Sequence, residues 1–180
     1  MTAYPPPDTR YAMKIAFHDT ILPYNPQSLD FLVDSLNQHK GAYMASDTDY
    51  PGRYSRWDIG FSKPPLEVRG YADHTDFLAL NARGEKIISI LAAFFKAHPH
   101  EAFDVTESTP AKIRCTVKKS DRTFAEEERS QQPSPLSPLR HIMRHAGGHE
   151  GFAGFYGAFK YDLIFSFNPI PLRHARPADH

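Results

Sequence analysis

Charge of one sign is what this chain lacks first. Its 21 Lys and Arg are matched by 21 Asp and Glu, so the formal net charge is zero with His neutral. A balance of that kind provides no global field for nucleic acid or an anionic membrane. Cysteine is almost absent: lone Cys115 has no internal disulfide partner, and a reducing compartment is the simplest setting. No apolar run approaches the roughly 20 residues of a membrane span. The N-terminus, Met1-Thr2-Ala3-Tyr4-Pro5-Pro6-Pro7, carries neither a basic stretch nor the apolar stretch of a secretory signal. There is no phosphate-binding glycine loop, because Gly151, Gly154 and Gly157 fit neither the dinucleotide nor the P-loop spacing. No internal repeat is evident. These absences describe a soluble, cytoplasmic globular chain without nucleic-acid or membrane partners.

What is abundant is aromatic. The 180 residues include 13 Phe and 9 Tyr, enough to argue against general disorder and for one sizeable core. Residues 1–10, with three consecutive prolines, read as a flexible lead-in. Tyr11 to Phe17 alternates as a strand does. Ser28 is a plausible N-cap for a helix carrying Leu29, Leu32, Val33 and Leu36, which ends near His39 with Gly41 as its stop. Strands are predicted over 41–46, 56–62, 66–71, 77–81 and 112–118. The last places Cys115 among buried apolar residues. Residues 85–97 carry the wide apolar stripe of a helix packed on a sheet. The stretch 118–138 reads as an exposed excursion. Ser137-Pro138 then opens a helix to about His145, with Ser137 as cap and Gly147-Gly148 as its end. Between 159 and 167 the pattern fits both strand and helix periods. A strand followed by a short helix from Leu163, capped by Asp162, is the expectation, with Gly151, Gly154 and Gly157 allowing close backbone approach.

Three places invite chemistry. Tyr50-Pro51-Gly52-Arg53-Tyr54-Ser55-Arg56-Trp57-Asp58 gathers the only Trp, two Arg and two Tyr around a Pro-Gly corner suited to a type II turn. A turn whose aromatics plug the core is the plain reading, and an Arg/aromatic binding site the sharper one. His141, His145 and His149 are spaced four apart, as metal-sharing histidines can be. Gly147-Gly148 breaks that helix, however, and no acidic residue lies between the first two, so they read as a solvated helix face. His98-Pro99-His100-Glu101 is a turn in which imidazole complements a helix C-terminus. Arg140, Arg144 and His145 form only a small basic face. No nucleophile with a base beside it is nominated, and no catalytic or metal-binding residue is assigned.

The run Gly41-Ala42-Tyr43-Met44-Ala45-Ser46, then residues 50–58 and Pro64-Pro65, resembles the N-terminal region of the anthranilate synthase large component in its long, fused form. Gly157-Ala158-Phe159-Lys160-Tyr161-Asp162-Leu163-Ile164-Phe165-Ser166-Phe167 and the Arg176-Pro177-Ala178-Asp179 ending resemble the same family. The likeness covers residues 11–180. It implies an α+β fold of mainly antiparallel sheets with packed helices, the N-terminal portion of the chorismate-utilising fold. Members convert chorismate to anthranilate with ammonia from a glutamine amidotransferase part, using Mg²⁺. The resemblance places the chorismate and Mg²⁺ residues in a later region that this sequence does not include, so no catalytic residue and no cofactor are carried over. It also implies half of a tryptophan feedback pocket, with Ala45, Ser46, Asp47, Arg53, Tyr54 and Ser55 as candidates. Ser46 matches the family pattern, while Ala45 stands where Glu is usual and Lys160 where Gly is common. The expected partners are L-tryptophan, the missing chorismate-binding region and an amidotransferase part. A stand-alone amino-acid-sensing or amidotransferase-docking module without catalysis is the alternative.

Overall fold

The computed structural model describes residues 13–14, 20–23, 25–46, 58–118, 120, 124, 132–147, 154–166 and 171. The architecture is α+β with antiparallel sheets, and the chain divides into two compact units. One unit comprises residues 18–65 and 154–158, the other residues 1–17, 66–153 and 159–180.

In the larger unit, β4 (Leu66–Gly70), β5 (His74–Ala79), β6 (Phe103–Ser108) and β7 (Lys112–Val117) form a four-stranded antiparallel sheet in the order β4-β5-β7-β6. Its two faces follow from the pleat. Register sets Val68, Phe77 and Ile113 side by side on one face, and Arg69, Asp76 and Arg114 side by side on the other. Helix α2 (Ala82–Ala97) covers the apolar face with Ile88, Leu91, Phe94 and Phe95. It begins where Asn81 takes an extended conformation and its side chain accepts hydrogen bonds from the Arg83 and Gly84 amides, at 3.0 and 3.1 Å. Phe77, Ile113 and Cys115 are completely buried beneath it.

The opposite face is polar and organised around one carboxylate. Arg114 donates two hydrogen bonds to Asp76, from Nε and Nη2 at 2.7 and 2.8 Å. Lys112 Nζ lies 3.5 Å from the same carboxylate and 2.7 Å from Glu107. The Arg114 guanidinium and the neighbouring Lys112 hold the Asp76 carboxyl below its ordinary range, despite the burial that opposes ionisation.

Strand β6 has no counterpart among the sequence-predicted elements. It is the sheet edge, with a bulge between Val105 and Glu107, and Phe103 is its one buried residue. An edge strand that faces water on most positions shows no alternation to read. Strand β5 begins at His74, three residues earlier than predicted.

The remaining elements of this unit are short. Helix α3 (Ser137–His145) runs into β8 (Ala146–Gly147), which pairs in parallel with β1 (Met13–Lys14). Ser137 does not cap α3. It lies inside the first turn, and its Oγ accepts a hydrogen bond from the Ser134 amide at 3.0 Å. The expected strand before Leu163 is absent from residues 154–160, and a single 3-10 helix spans Tyr161–Ser166. A Cβ at Gly157 would meet nothing within 4 Å among the described residues, so no close approach among them explains that glycine.

In the smaller unit, helix α1 (Pro26–Leu36) lies on an antiparallel ribbon of β2 (Gly41–Ala45) and β3 (Asp58–Ser62). Asn25 caps the helix in place of Ser28, accepting from the Gln27 amide at 3.0 Å, with Pro26 at the first helical position.

Candidate functional site

The geometry that deserves a functional reading begins with two glycines. A Cβ built on Gly60 would lie 2.1 Å from Leu32 Cδ2, and one on Gly41 would lie 2.5 Å from Leu36 Cδ2. The absence of side chains there lets α1 rest directly on the ribbon. The strand predicted from Gly41 is present, but the helix predicted to end near His39 stops earlier. α1 ends at Leu36, and Gly41 is a strand residue beneath the helix.

Pairing then fixes what lies beside them. Gly41 pairs with Ser62, Tyr43 with Gly60, and Ala45 with Asp58. These six residues share the face turned to α1, because side chains alternate along each strand. Phe61 points the other way, its ring centroid 6.0 Å from that of Tyr156.

Between the first two turns of α1 and this face lies a cleft of about 290 Å³. Pro23, Leu29, Leu32 and Gly60 line it together with the polar Asn25, Ser28, Tyr43 and Asp58. The volume is just below the roughly 300–1,000 Å³ of ligand sites, and the cleft is largely open to solvent. Among the described residues, the exposed carboxylate of Asp58 is the one anionic group on its lining and a natural acceptor for an ammonium group.

Of the six candidate residues, Ala45 closes β2 directly across from Asp58, and Ser46 follows it, half-buried. Neither lines the cleft among the described residues. Asp47, Arg53, Tyr54 and Ser55 lie outside the described residues, as does the rest of the 50–58 motif apart from Asp58. Asp58 was not singled out by sequence reasoning. Only the strand register shows that a carboxylate stands opposite the alanine.

This chain is related to anthranilate synthase. It is 36% identical to the anthranilate synthase of Azospirillum brasilense over an alignment of 155 residues that covers 84% of this chain but 20% of that protein. The chain therefore spans about a fifth of the length of the anthranilate synthase it matches, as an N-terminal region would. No known family model matches it, and no solved structure does.

Beyond the cleft, the other sequence-level candidates resolve differently. Cys115 is completely buried, and burial pushes its thiol up to about 12, so it is an inert core residue. His141 does not sit on a solvated helix face. It is 5% exposed and packed among aromatic rings, because α3 turns this residue toward the end of α2. Among the described residues, no group of three His, Cys, Asp or Glu is placed to hold a metal ion. No helix among them is long and apolar enough to cross a membrane.

Proposed function

We propose that this chain is the N-terminal regulatory and scaffold region of an anthranilate synthase large component and carries one wall of a tryptophan feedback pocket. The observation that carries the reading is the match to the Azospirillum brasilense enzyme, which runs through 84% of this chain and a fifth of the relative. Chorismate binding, Mg²⁺ and ammonia transfer then belong to sequence outside these 180 residues, and the chain alone makes no anthranilate.

The cleft under α1 supports the regulatory half of the proposal. An amino acid brings an ammonium group and an apolar side chain. Asp58 offers the first a carboxylate, and Leu29 and Leu32 offer the second apolar contact. Asp58 stands across the ribbon from Ala45, so the charge that the resemblance leads one to expect at position 45 is supplied from the neighbouring strand. Exposed Phe159 and Tyr161 in one unit, and Phe155 in the other, are apolar surface of the kind that a larger assembly would cover.

Two experiments test this. The purified chain, given chorismate, Mg²⁺ and ammonia, is expected to produce no anthranilate fluorescence, and its appearance would refute the non-catalytic role. A chimera in which this chain replaces the matching stretch of the Azospirillum enzyme is expected to make anthranilate and to be inhibited by L-tryptophan. Calorimetric titration of the chain alone addresses the alternative: micromolar tryptophan binding supports a self-sufficient sensor, and silence supports a pocket completed by further sequence.

A further inference from the structure

Four histidines meet where α3 docks against the end of α2, and nothing in the proposed role uses them. His98 is the C-cap residue of α2, His100 lies in the turn that follows, and His141 and His145 are one turn apart on α3. The ring centroids of His141 lie 4.7 Å from His100 and 4.6 Å from His145, and His145 lies 5.4 Å from His98. Phe94, Phe95 and Phe103 close around His141 at 5.0, 6.3 and 5.9 Å.

Hydrogen bonds fix where the protons sit. His141 Nε2 donates to the His98 carbonyl at 2.8 Å, tying α3 to the end of α2. His145 Nδ1 donates to the His141 carbonyl at 2.9 Å. His100 does the reverse: its Nδ1 accepts from the Ala102 amide at 3.1 Å. An imidazolium has no bare nitrogen, so this last bond exists only while His100 is neutral. Protonation would set two N–H groups head to head at the start of β6, where Ala102 is itself buried.

We infer that His100 and His141, packed against His98 and His145 where α3 meets the end of α2, form a pH-sensitive clasp, which holds α3 against α2 and β6 while these two imidazoles are neutral and releases α3 on acidification. The surroundings favour release. Among the charged and titratable groups around His100, Glu101 in the turn acts most strongly and favours its protonation, while Arg144 and His145 on α3 and Lys118 after β7 oppose it in the closed state. Around His141 the neighbouring imidazoles are those of His98, His100 and His145, and all three disfavour a positive charge on His141. Burial, foremost, pushes both His100 and His141 below the ordinary imidazole range, and the hydrogen bond to the His98 carbonyl only partly offsets this for His141. The sign follows: the open state takes up protons first. The clasp is then fully closed above about pH 6.5, the unperturbed imidazole value, and weakens as pH falls from there. Release would also free β8, which follows α3 directly and pairs with β1.

Hydrogen exchange on the full chain between pH 7.5 and 5.0 tests the clasp, with protection factors corrected for intrinsic rates. Amides of Leu139 to Ala146 are expected to lose protection by about tenfold per pH unit for each proton taken up, while β5 and β7 keep theirs. The double variant His100→Asn with His141→Gln keeps an acceptor at the Nδ1 position and a donor at the Nε2 position but cannot titrate. Its α3 protection is expected to be flat across the same range. Three results overturn the inference: α3 protection constant with pH in the wild type, loss of protection by all elements together, or the same slope in the double variant. Should that variant not fold, proton NMR of the wild-type imidazoles decides. His100 and His141 are expected to titrate below the ordinary range at the pH where α3 opens, and titration without any change in α3 refutes the clasp.

Discussion

At the scale of single residues, Gly41 and Gly60 set how α1 meets its ribbon, and they should not respond alike to substitution. A Cβ at Gly60 meets the end of a flexible leucine, Leu32 Cδ2. A Cβ at Gly41 meets backbone as well, 2.2 Å from the Phe61 carbonyl oxygen and 2.9 Å from Ser62 Cα. Gly41→Ala is therefore expected to lower the thermal midpoint more than Gly60→Ala. Adding Leu32→Ala to Gly60→Ala should recover part of the loss, and a double-mutant cycle by thermal denaturation measures that coupling. Asp58 carries a functional prediction. In the tryptophan-inhibited chimera, Asp58→Asn should leave turnover in place and raise the tryptophan concentration for half-inhibition. A hydrogen bond to a charged group contributes about 1.5–3 kcal/mol, or roughly 10- to 150-fold. Unchanged inhibition would remove Asp58 from the pocket. Neither glycine's packing role nor the position of Asp58 was legible in sequence, because both depend on which residues pair across β2 and β3.

At the scale of elements, helix α2 and the four-stranded sheet were largely readable, since a wide apolar stripe and an alternating β7 are local signals. The α1 cap at Asn25, the edge strand β6 and the burial of His141 were not. Asn25 competed with Ser28 for the same role, and Pro26 decides between them by fitting the first helical position. β6 is held by its neighbour β7 rather than by its own pattern, as the Thr106 and Thr116 hydroxyls at 2.8 Å illustrate. His141 is polar by type and buried by context. The sheet itself makes two predictions. Phe77→Ala, at a completely buried site beneath α2, should cost about 3–5 kcal/mol in chemical denaturation. On the polar face, the Asp76 carboxyl is held below its ordinary range by Arg114 and Lys112, so its contribution is present above the unfolded value near pH 4 and is lost as pH falls through the folded one. Asp76→Asn should therefore lower the melting temperature at pH 7 and flatten its decline below about pH 4, which a series of melts across pH would record.

At the scale of the whole molecule, the α+β class follows from the sequence, and relatedness to anthranilate synthase was legible in two separated motifs. The chemistry was not, because the matched stretch corresponds to a fifth of the relative's length and the substrate-handling residues are proposed to lie elsewhere. The candidate site was half legible. Met44-Ala45-Ser46, at the end of β2, stood out as a motif, while the cleft beside it needed α1, β2 and β3 in place. A pocket wall is meaningful only when the rest of the enzyme completes it. The decisive measurement is therefore anthranilate formation by the Azospirillum chimera carrying this chain, followed by fluorescence as L-tryptophan is added. The proposed regulatory and scaffold role predicts an active chimera whose rate falls to near zero as tryptophan saturates the pocket. A folded chimera that makes no anthranilate, or one that makes it at a rate indifferent to tryptophan, would contradict it.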